Sequence, residues 1–183
     1  MDKIKSVVDN INEGQREFEG LQRIIELQNV IDGVPDLVAP GRRLHREGDI
    51  KWHKSAKSKG EMRHVFVLSD MLLLTTSKGT DKYDFKMIAP LDDCKLIVCA
   101  DSTHLQNAFE ITGPLLKHKC FLSFDTVAEL NSWVKDIKRL IKEFQKKKLR
   151  DLAEAKKRAE SGNSLPEGLI PIGGMSSPNI SRR

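Results

Sequence analysis

The sequence predicts a mainly β fold with flanking helices. Seven short strands form a sandwich or small barrel, with a long helix before them and an amphipathic helix after them. Three observations carry this. Apolar residues recur at helical spacing up to residue 31, alternate in short runs between residues 41 and 125, and return to helical spacing from residue 126. A chain of 183 residues with 39% hydrophobic content supports one domain with extensions and one core.

In residues 1–31 the periodic positions are Ile4, Val7, Val8, Ile11, Phe18, Leu21, Ile24, Ile25 and Gln28 or Ile31. At helical rise this segment is roughly 45 Å long. It has more apolar face than a lone helix ahead of a small domain needs, so it reads as the end of something larger. Gly33-Val34-Pro35-Asp36 stops it. From Gly41 the period becomes two: Leu44, Ile50 and Trp52 on one side, Arg43, His45, Glu47, Asp49 and Lys51 on the other. Gly48 interrupts this run and reads as a bulge or bend. A lysine-rich loop, KSAKSKG (54–60), follows.

HVFVLSDMLLLTT (64–76) is nearly free of charge in a chain that is 31% charged. It is shorter than the about 20 residues a membrane span requires. Its flanks are β-branched and aromatic, and Ser69-Asp70 stands at its centre. It reads as two strands, about 62–68 and 71–77, joined by a tight turn. Further strands are expected at 83–90, 94–100, 108–113 and 119–125. Then Val127, Leu130, Trp133, Val134, Ile137, Leu140, Ile141 and Phe144 share one helical face. Thr126 and Glu129 are spaced as a capping box. The helical pattern runs on through charged, Ala-rich sequence to about Glu160. Gly, Pro and Ser dominate 161–183, which reads as disordered. There is no internal repeat.

The net charge of +5 and pI of 9.1 suit an anionic partner or an ordinary lysine-rich surface. Cys94, Cys99 and Cys120 form no CxxC and read as reduced, packed thiols. Residues 1–31 are too polar for a secretory signal. His45, His53, His64, His104 and His118 are dispersed, and no hydrolase, zinc-protease or nucleotide-loop motif occurs. Asp92-Asp93 reads as a solvated pair at a strand turn. No catalytic residue, cofactor or metal is therefore expected. With 5% aromatic residues and no stacking platform, nucleic acid is not an expected partner. Ser176-Ser177-Pro178 is a short proline-directed motif of low specificity.

The order of seven strands and a C-terminal helix, with Trp133 midway along it in ELNSWVKDI, resembles the pleckstrin-homology (PH) domain. VVDNINEGQREFEGLQRIIELQNVI (7–31) resembles the last helix of a Dbl-homology (DH) domain. LVAPGRRLHREGDIKW, HVFVLSDMLLLTT and YDFKMIAPLDD resemble the PH domain that follows DH in exchange factors for Rho-family GTPases. The resemblance covers about residues 1–145. It implies a bent β-sandwich plugged by the last helix, with Trp133 in the plug. It divides the chain into a final DH-type helix and linker (1–40), a PH domain (41–150) and a charged helical extension with a tail (151–183). A DH domain is a bundle of roughly 200 residues, within the usual domain range, and the chain carries only its last helix. By itself it is not expected to catalyse nucleotide exchange, although the resemblance implies a parent exchange factor.

The resemblance also implies partners: an anionic phospholipid (phosphoinositide) surface, a Rho-family GTPase and the DH domain, with a cytoplasmic location, peripheral at the membrane or cortical cytoskeleton. The lipid positions implied are Lys51, Lys54, Lys57, Lys59 and Arg63. PH domains that grip inositol phosphates tightly place basic residues before the aromatic of their second strand. Aligning Phe66 to that aromatic puts Met62 and His64 there, with Arg63 between them, so a weak, charge-driven attraction is expected. Lys142, Lys146, Lys147, Lys148 and Arg150 read as cations at a helix end. In the family the last DH helix touches the GTPase. Asn12 and Arg16, in and beside Ile11-Asn12-Glu13, match that contact. A protein-interaction or autoinhibitory module without meaningful lipid binding is the competing expectation.

Overall fold

The computed structural model describes residues 2–116 and 119–161, with side chains for 12–116 and 119–159. The expectations for 162–183, Ser176-Ser177-Pro178 included, and for the side chains of Ile4, Val7, Val8 and Ile11 lie outside the described residues. Helix α1 (Asp2–Val30) leads into strands β1 (Ile31–Asp32), β2 (Leu44–His53), β3 (Glu61–Leu68), β4 (Met71–Ser77), β5 (Tyr83–Pro90), β6 (Lys95–Val98), β7 (Ala108–Thr112) and β8 (Cys120–Ser123), then helix α2 (Val127–Ser161). The strands form one sheet in the order β1-β5-β4-β3-β2-β8-β7-β6. All pairings are antiparallel except β1 with β5.

β1 is an eighth strand beyond the seven expected. Two residues show no alternation, so sequence pattern cannot reveal it. Ile31, 3% exposed, anchors it, and Lys78 clips Asp32 (3.6 Å) to Asp84 (2.9 Å) from outside.

The sheet bends around one apolar core and leaves a second on its outer face. Val65, Val67, Leu72 and Leu74 point inward, where Leu130, Trp133, Val134, Ile137, Leu140 and Ile141 of α2 close the core. Phe66, Leu68 and Leu73 point outward onto Ile24 and Leu27 of α1 and onto Leu37. β3 and β4 are thus covered on both faces. This accounts for the uncharged run at 64–76, because strands covered on both sides lose their polar alternation. The weak Ser-Asp turn is fixed by tertiary partners. Arg42 donates from Nε to Asp70 Oδ1 (2.9 Å), from Nη2 to Asp70 Oδ2 (2.6 Å) and from Nη1 to the Leu37 carbonyl (2.6 Å).

The irregularity in β2 is not at Gly48. Gly48 pairs in register with Val65, and the register shift falls between Leu44 and Arg46. The extra residue reverses the alternation, so Leu44 joins the outer core while Ile50 and Trp52 join the inner one. Gly48 serves a close approach instead: a Cβ there would lie 3.1 Å from Trp133 Cζ2. The Trp133 ring is pinned by the Arg46 guanidinium 4.2 Å from its centroid, and Arg46 also donates to Ser132 Oγ and Asp136 Oδ2, each at 2.7 Å.

At the start of α2, Thr126 Oγ1 accepts from the Glu129 amide (3.2 Å) and donates to the Glu129 carboxylate (3.3 Å). Glu129 thus closes on the capping hydroxyl rather than on the Thr126 amide of a full capping box. The helix continues to Ser161, so Lys142, Lys146, Lys147, Lys148 and Arg150 stand within it and not at its end. Asp92 and Asp93 have a definite partner, Lys148 Nζ, at 2.6 and 3.3 Å. The chain divides into compact units after Lys148. In the second, Leu149 and Leu152 are exposed. Cys94, Cys99 and Cys120 are free thiols, and burial pushes Cys120 up to about 12.

Candidate functional site

Alternation at the end of β2 sorts its side chains onto two faces. Lys51 and His53 fall on one, Trp52 and Lys54 on the other. His53 is 4% exposed and ties the β2–β3 loop down. Its Nε2 lies 2.7 Å from Ser123 Oγ and its Nδ1 3.0 Å from the Ser58 carbonyl. A carbonyl only accepts, so Nδ1 carries a proton, and in the neutral ring Ser123 donates to Nε2. Within the loop, Ser58 Oγ accepts from the Ser55 amide (3.0 Å) and donates to the Ser55 carbonyl (2.9 Å). Gly60 permits the fold-back, since a Cβ there would meet the His53 ring at 2.8 Å.

The folded loop forms one wall of an open cleft of about 730 Å³. Lys51, Lys57 and Lys59 line it, facing His104, Gln106 and Asn107 of the loop before β7. Asp125 closes one end and holds Lys51 Nζ at 2.5 Å. Lys54, Lys57 and Lys59 have no carboxylate partner within reach among the described residues, whereas Lys51 and Lys119 have one each and Lys78 and Lys148 two each. The cleft thus offers unneutralised ammonium groups and hydrogen-bonding side chains, chemistry suited to a phosphate-bearing ligand.

The residues expected to bind lipid divide three ways. Lys51, Lys57 and Lys59 share this cleft. Lys54 lines a separate cleft of about 460 Å³, with Trp52, Met87, Ile88, Leu115, Leu116 and Lys119. Arg63 is paired with Glu61, donates to the Met62 carbonyl (3.0 Å) and lies 5.4 Å from the Trp52 ring centroid. His53, His104, Asn107 and Asp125 were not foreseen as site residues. His53 and Gly60 carried the available signal, a histidine and a glycine flanking the loop, but nothing in sequence separates a buried staple from an exposed ring.

Asn12 and Arg16 are exposed on α1. Their neighbour Glu13 is bonded by Arg43 at 2.8 Å, and that hydrogen bond holds its carboxyl below the usual range. Arg23 reaches Glu47 at 3.4 Å. Ion pairs therefore join α1 to β2 and its lead-in beside the outer core. Phe18 (61% exposed), Leu21 and Ile25 remain open on α1. Among the described residues no group of three or more His, Cys, Asp or Glu is placed to hold a metal, and no helix is long and apolar enough to cross a membrane.

Residues 44–142 match the family model described as PH domain. The myosin-M heavy chain of Dictyostelium discoideum is 33% identical over 176 residues, covering 88% of this chain and 10% of that protein. The FERM, ARHGEF and pleckstrin domain-containing protein 2 of Mus musculus is 37% identical over 84 residues, covering 46% of this chain and 8% of that protein. The chain spans about a tenth of the length of these curated relatives. Among solved structures, autoinhibited Vav1 superposes with a TM-score of 0.64 at 22% identity, covering 76% of this chain and 26% of that one. The DH/PH domains of PDZ-RhoGEF, solved in complex with activated RhoA, superpose with a TM-score of 0.55 at 20% identity, covering 78% of this chain and 45% of that one. By the family match across more than half its length, and by a bent sheet plugged by a tryptophan-bearing helix, the chain belongs to the PH domain family.

Proposed function

We propose that this chain is the PH module of a Rho-family guanine-nucleotide exchange factor, that it attaches weakly to anionic phospholipid (phosphoinositide) surfaces, and that it positions the exchange domain there. The observation that carries the lipid part is the convergence of Lys51, Lys57 and Lys59 on one cleft, two of them without a counter-charge among the described residues. Relatives whose names include RhoGEF or ARHGEF, and DH/PH neighbours in structure, support the exchange-factor part. In this reading residues 1–40 are the last DH-type helix and linker, 41–150 the PH domain, and 151–183 an extension. The chain itself is not an exchange enzyme, because the remaining DH helices are what complete the catalytic surface. Asn12 and Arg16 contact the GTPase when the full DH domain is present. The protein is cytoplasmic and peripheral at the membrane or cortical cytoskeleton.

Co-sedimentation with vesicles tests the lipid part, using phosphatidylcholine alone or doped with phosphatidylserine and phosphatidylinositol bisphosphate. At about 1 kcal/mol per basic residue near such a surface, the Lys57→Glu/Lys59→Glu variant weakens pelleting on doped vesicles about tenfold to a hundredfold. Added salt weakens the unaltered chain similarly. Equal, negligible pelleting in every condition contradicts lipid binding.

The open Phe18, Leu21 and Ile25 face of α1 favours a second role in the same parent protein, as the seat of the other DH helices. With no lipid binding, the module would act through protein contacts alone.

A further inference from the structure

Between Asp49 and Glu61 the chain carries four lysines and no carboxylate side chain. Ser55 and Ser58 stand among them, and the structure uses their hydroxyls differently. Ser58 Oγ is committed to the turn. It accepts from the Ser55 amide and donates to the Ser55 carbonyl, and the Ser58 amide closes onto that same carbonyl at 3.0 Å. Ser55 takes part through its backbone alone. It is exposed, and its Oγ has no hydrogen-bond partner among the described residues. Two other hydroxyls line the cationic cleft. Ser123 is buried and bonded to His53. Thr103 is exposed, but residues 99–107 around it hold no Lys or Arg.

Ser55 thus joins a free, exposed hydroxyl to a cationic setting. Lys54 precedes it, Lys57 and Lys59 follow two and four residues on, and none of the three has a carboxylate partner among the described residues. Ser55 also opens the turn, the position whose side-chain oxygen lies near the amide two residues on, here that of Lys57. A phosphate at Ser55 would find donors in that amide and in the neighbouring ammonium groups. We propose that Ser55 is a phosphorylation site for a kinase that reads basic flanks, and that its phosphate engages the loop lysines in place of an external phosphate. This rests on the headgroup reading of the cleft above and supplies its control. In the transfer, the γ-phosphoryl group of ATP passes to Ser55 Oγ. Its bond to the β-phosphate breaks, ADP leaves, and the hydroxyl proton goes to the kinase's catalytic base. The phosphate brings up to two negative charges. Two is also the number of cleft lysines, Lys57 and Lys59, that lack a carboxylate partner among the described residues.

The test uses the whole chain. Incubation with protein kinase C catalytic domain and ATP, followed by mass-spectrometric mapping, is expected to label Ser55 and to leave Ser58 and Thr103 unlabelled. Ser55→Ala abolishes the label. Phosphoserine installed at position 55 during translation gives the second material. Phosphorus NMR reads its titration with no lipid present. Nearby ammonium groups favour the dianion, so the midpoint falls below the ordinary value of about 6. It returns toward that value in Lys54→Gln/Lys57→Gln/Lys59→Gln. On the doped vesicles named above, the phosphorylated chain pellets about tenfold to thirtyfold more weakly than the unaltered one, while Ser55→Ala pellets like it. No label on Ser55, or a midpoint that the lysine replacements do not move, overturns the proposal. Undiminished pelleting of the phosphorylated chain, where the unaltered chain binds, also overturns it and leaves the headgroup reading standing. If the unaltered chain binds no vesicle, the headgroup reading fails by itself, and the label and the midpoint decide whether Ser55 is the site.

Discussion

Lys51 is matched by Asp125 at 2.5 Å, in the same cleft where Lys57 and Lys59 have no carboxylate partner among the described residues. Both side chains are substantially exposed, 49% for Lys51 and 78% for Asp125, so the pair adds little to stability. Its effect is on ligands. The carboxylate occupies the ammonium that a phosphate would otherwise use, and it repels that phosphate. Asp125→Asn is therefore expected to raise affinity for doped vesicles about threefold to tenfold at low salt. Glu143→Gln changes net charge equally from the Arg139 pair on α2, outside this cleft, and serves as the control. An unchanged or weaker Asp125→Asn would show that the carboxylate does not compete. Asp125 was invisible as a site residue in sequence because it precedes the α2 cap, where an acidic residue is unremarkable. Only the pairing of β2 with β8, Lys51 opposite Ser123, brings it to the lysine.

At the scale of elements, the longer strands were legible, β3 and β4 from an uncharged, β-branched and aromatic run broken by Ser69-Asp70 rather than from alternation. The β3–β4 hairpin and β5 stand within a residue of expectation, 61–68, 71–77 and 83–90. Shorter β6 and β8 were overextended, because their flanks, Cys99 and Phe124 among them, are apolar without being in the ladder. Gly48 shows a different limit. A glycine in a strand signals either a bulge or a close approach, and the choice depends on Trp133, distant in sequence. With Trp133 held between Arg46 and Phe124, whose ring centroid is 5.9 Å away, the indole cannot yield. Gly48→Val is expected to destabilise the domain by roughly 1–3 kcal/mol through overpacking. Urea denaturation measures this as a lowered midpoint with an unchanged slope. A midpoint equal to that of the unaltered chain would mean that the indole relaxes and that the approach is not tight.

For the whole molecule, the sequence carried the fold because two changes of period bound it and because the outer core needs α1. Ile24 and Leu27 seal Phe66, Leu68 and Leu73, which would otherwise leave the outer face of the sheet apolar and wet. Thus α1 is part of the folded unit even though Phe18, Leu21 and Ile25 remain exposed. The candidate site was legible as a lysine count and as the alternation of β2. Its division into a cationic cleft and an apolar one also depends on the His53 staple and on the loop before β7, neither of which has a linear signature. The central claim is that the cationic cleft receives the headgroup. Backbone amide NMR of the chain during titration with a soluble inositol phosphate tests it most directly. The account predicts shifts confined to residues 51–60, 103–107 and 123–125, with α1 silent. Shifts centred on Asn12 to Ile25, or none at concentrations where doped vesicles bind, would contradict it.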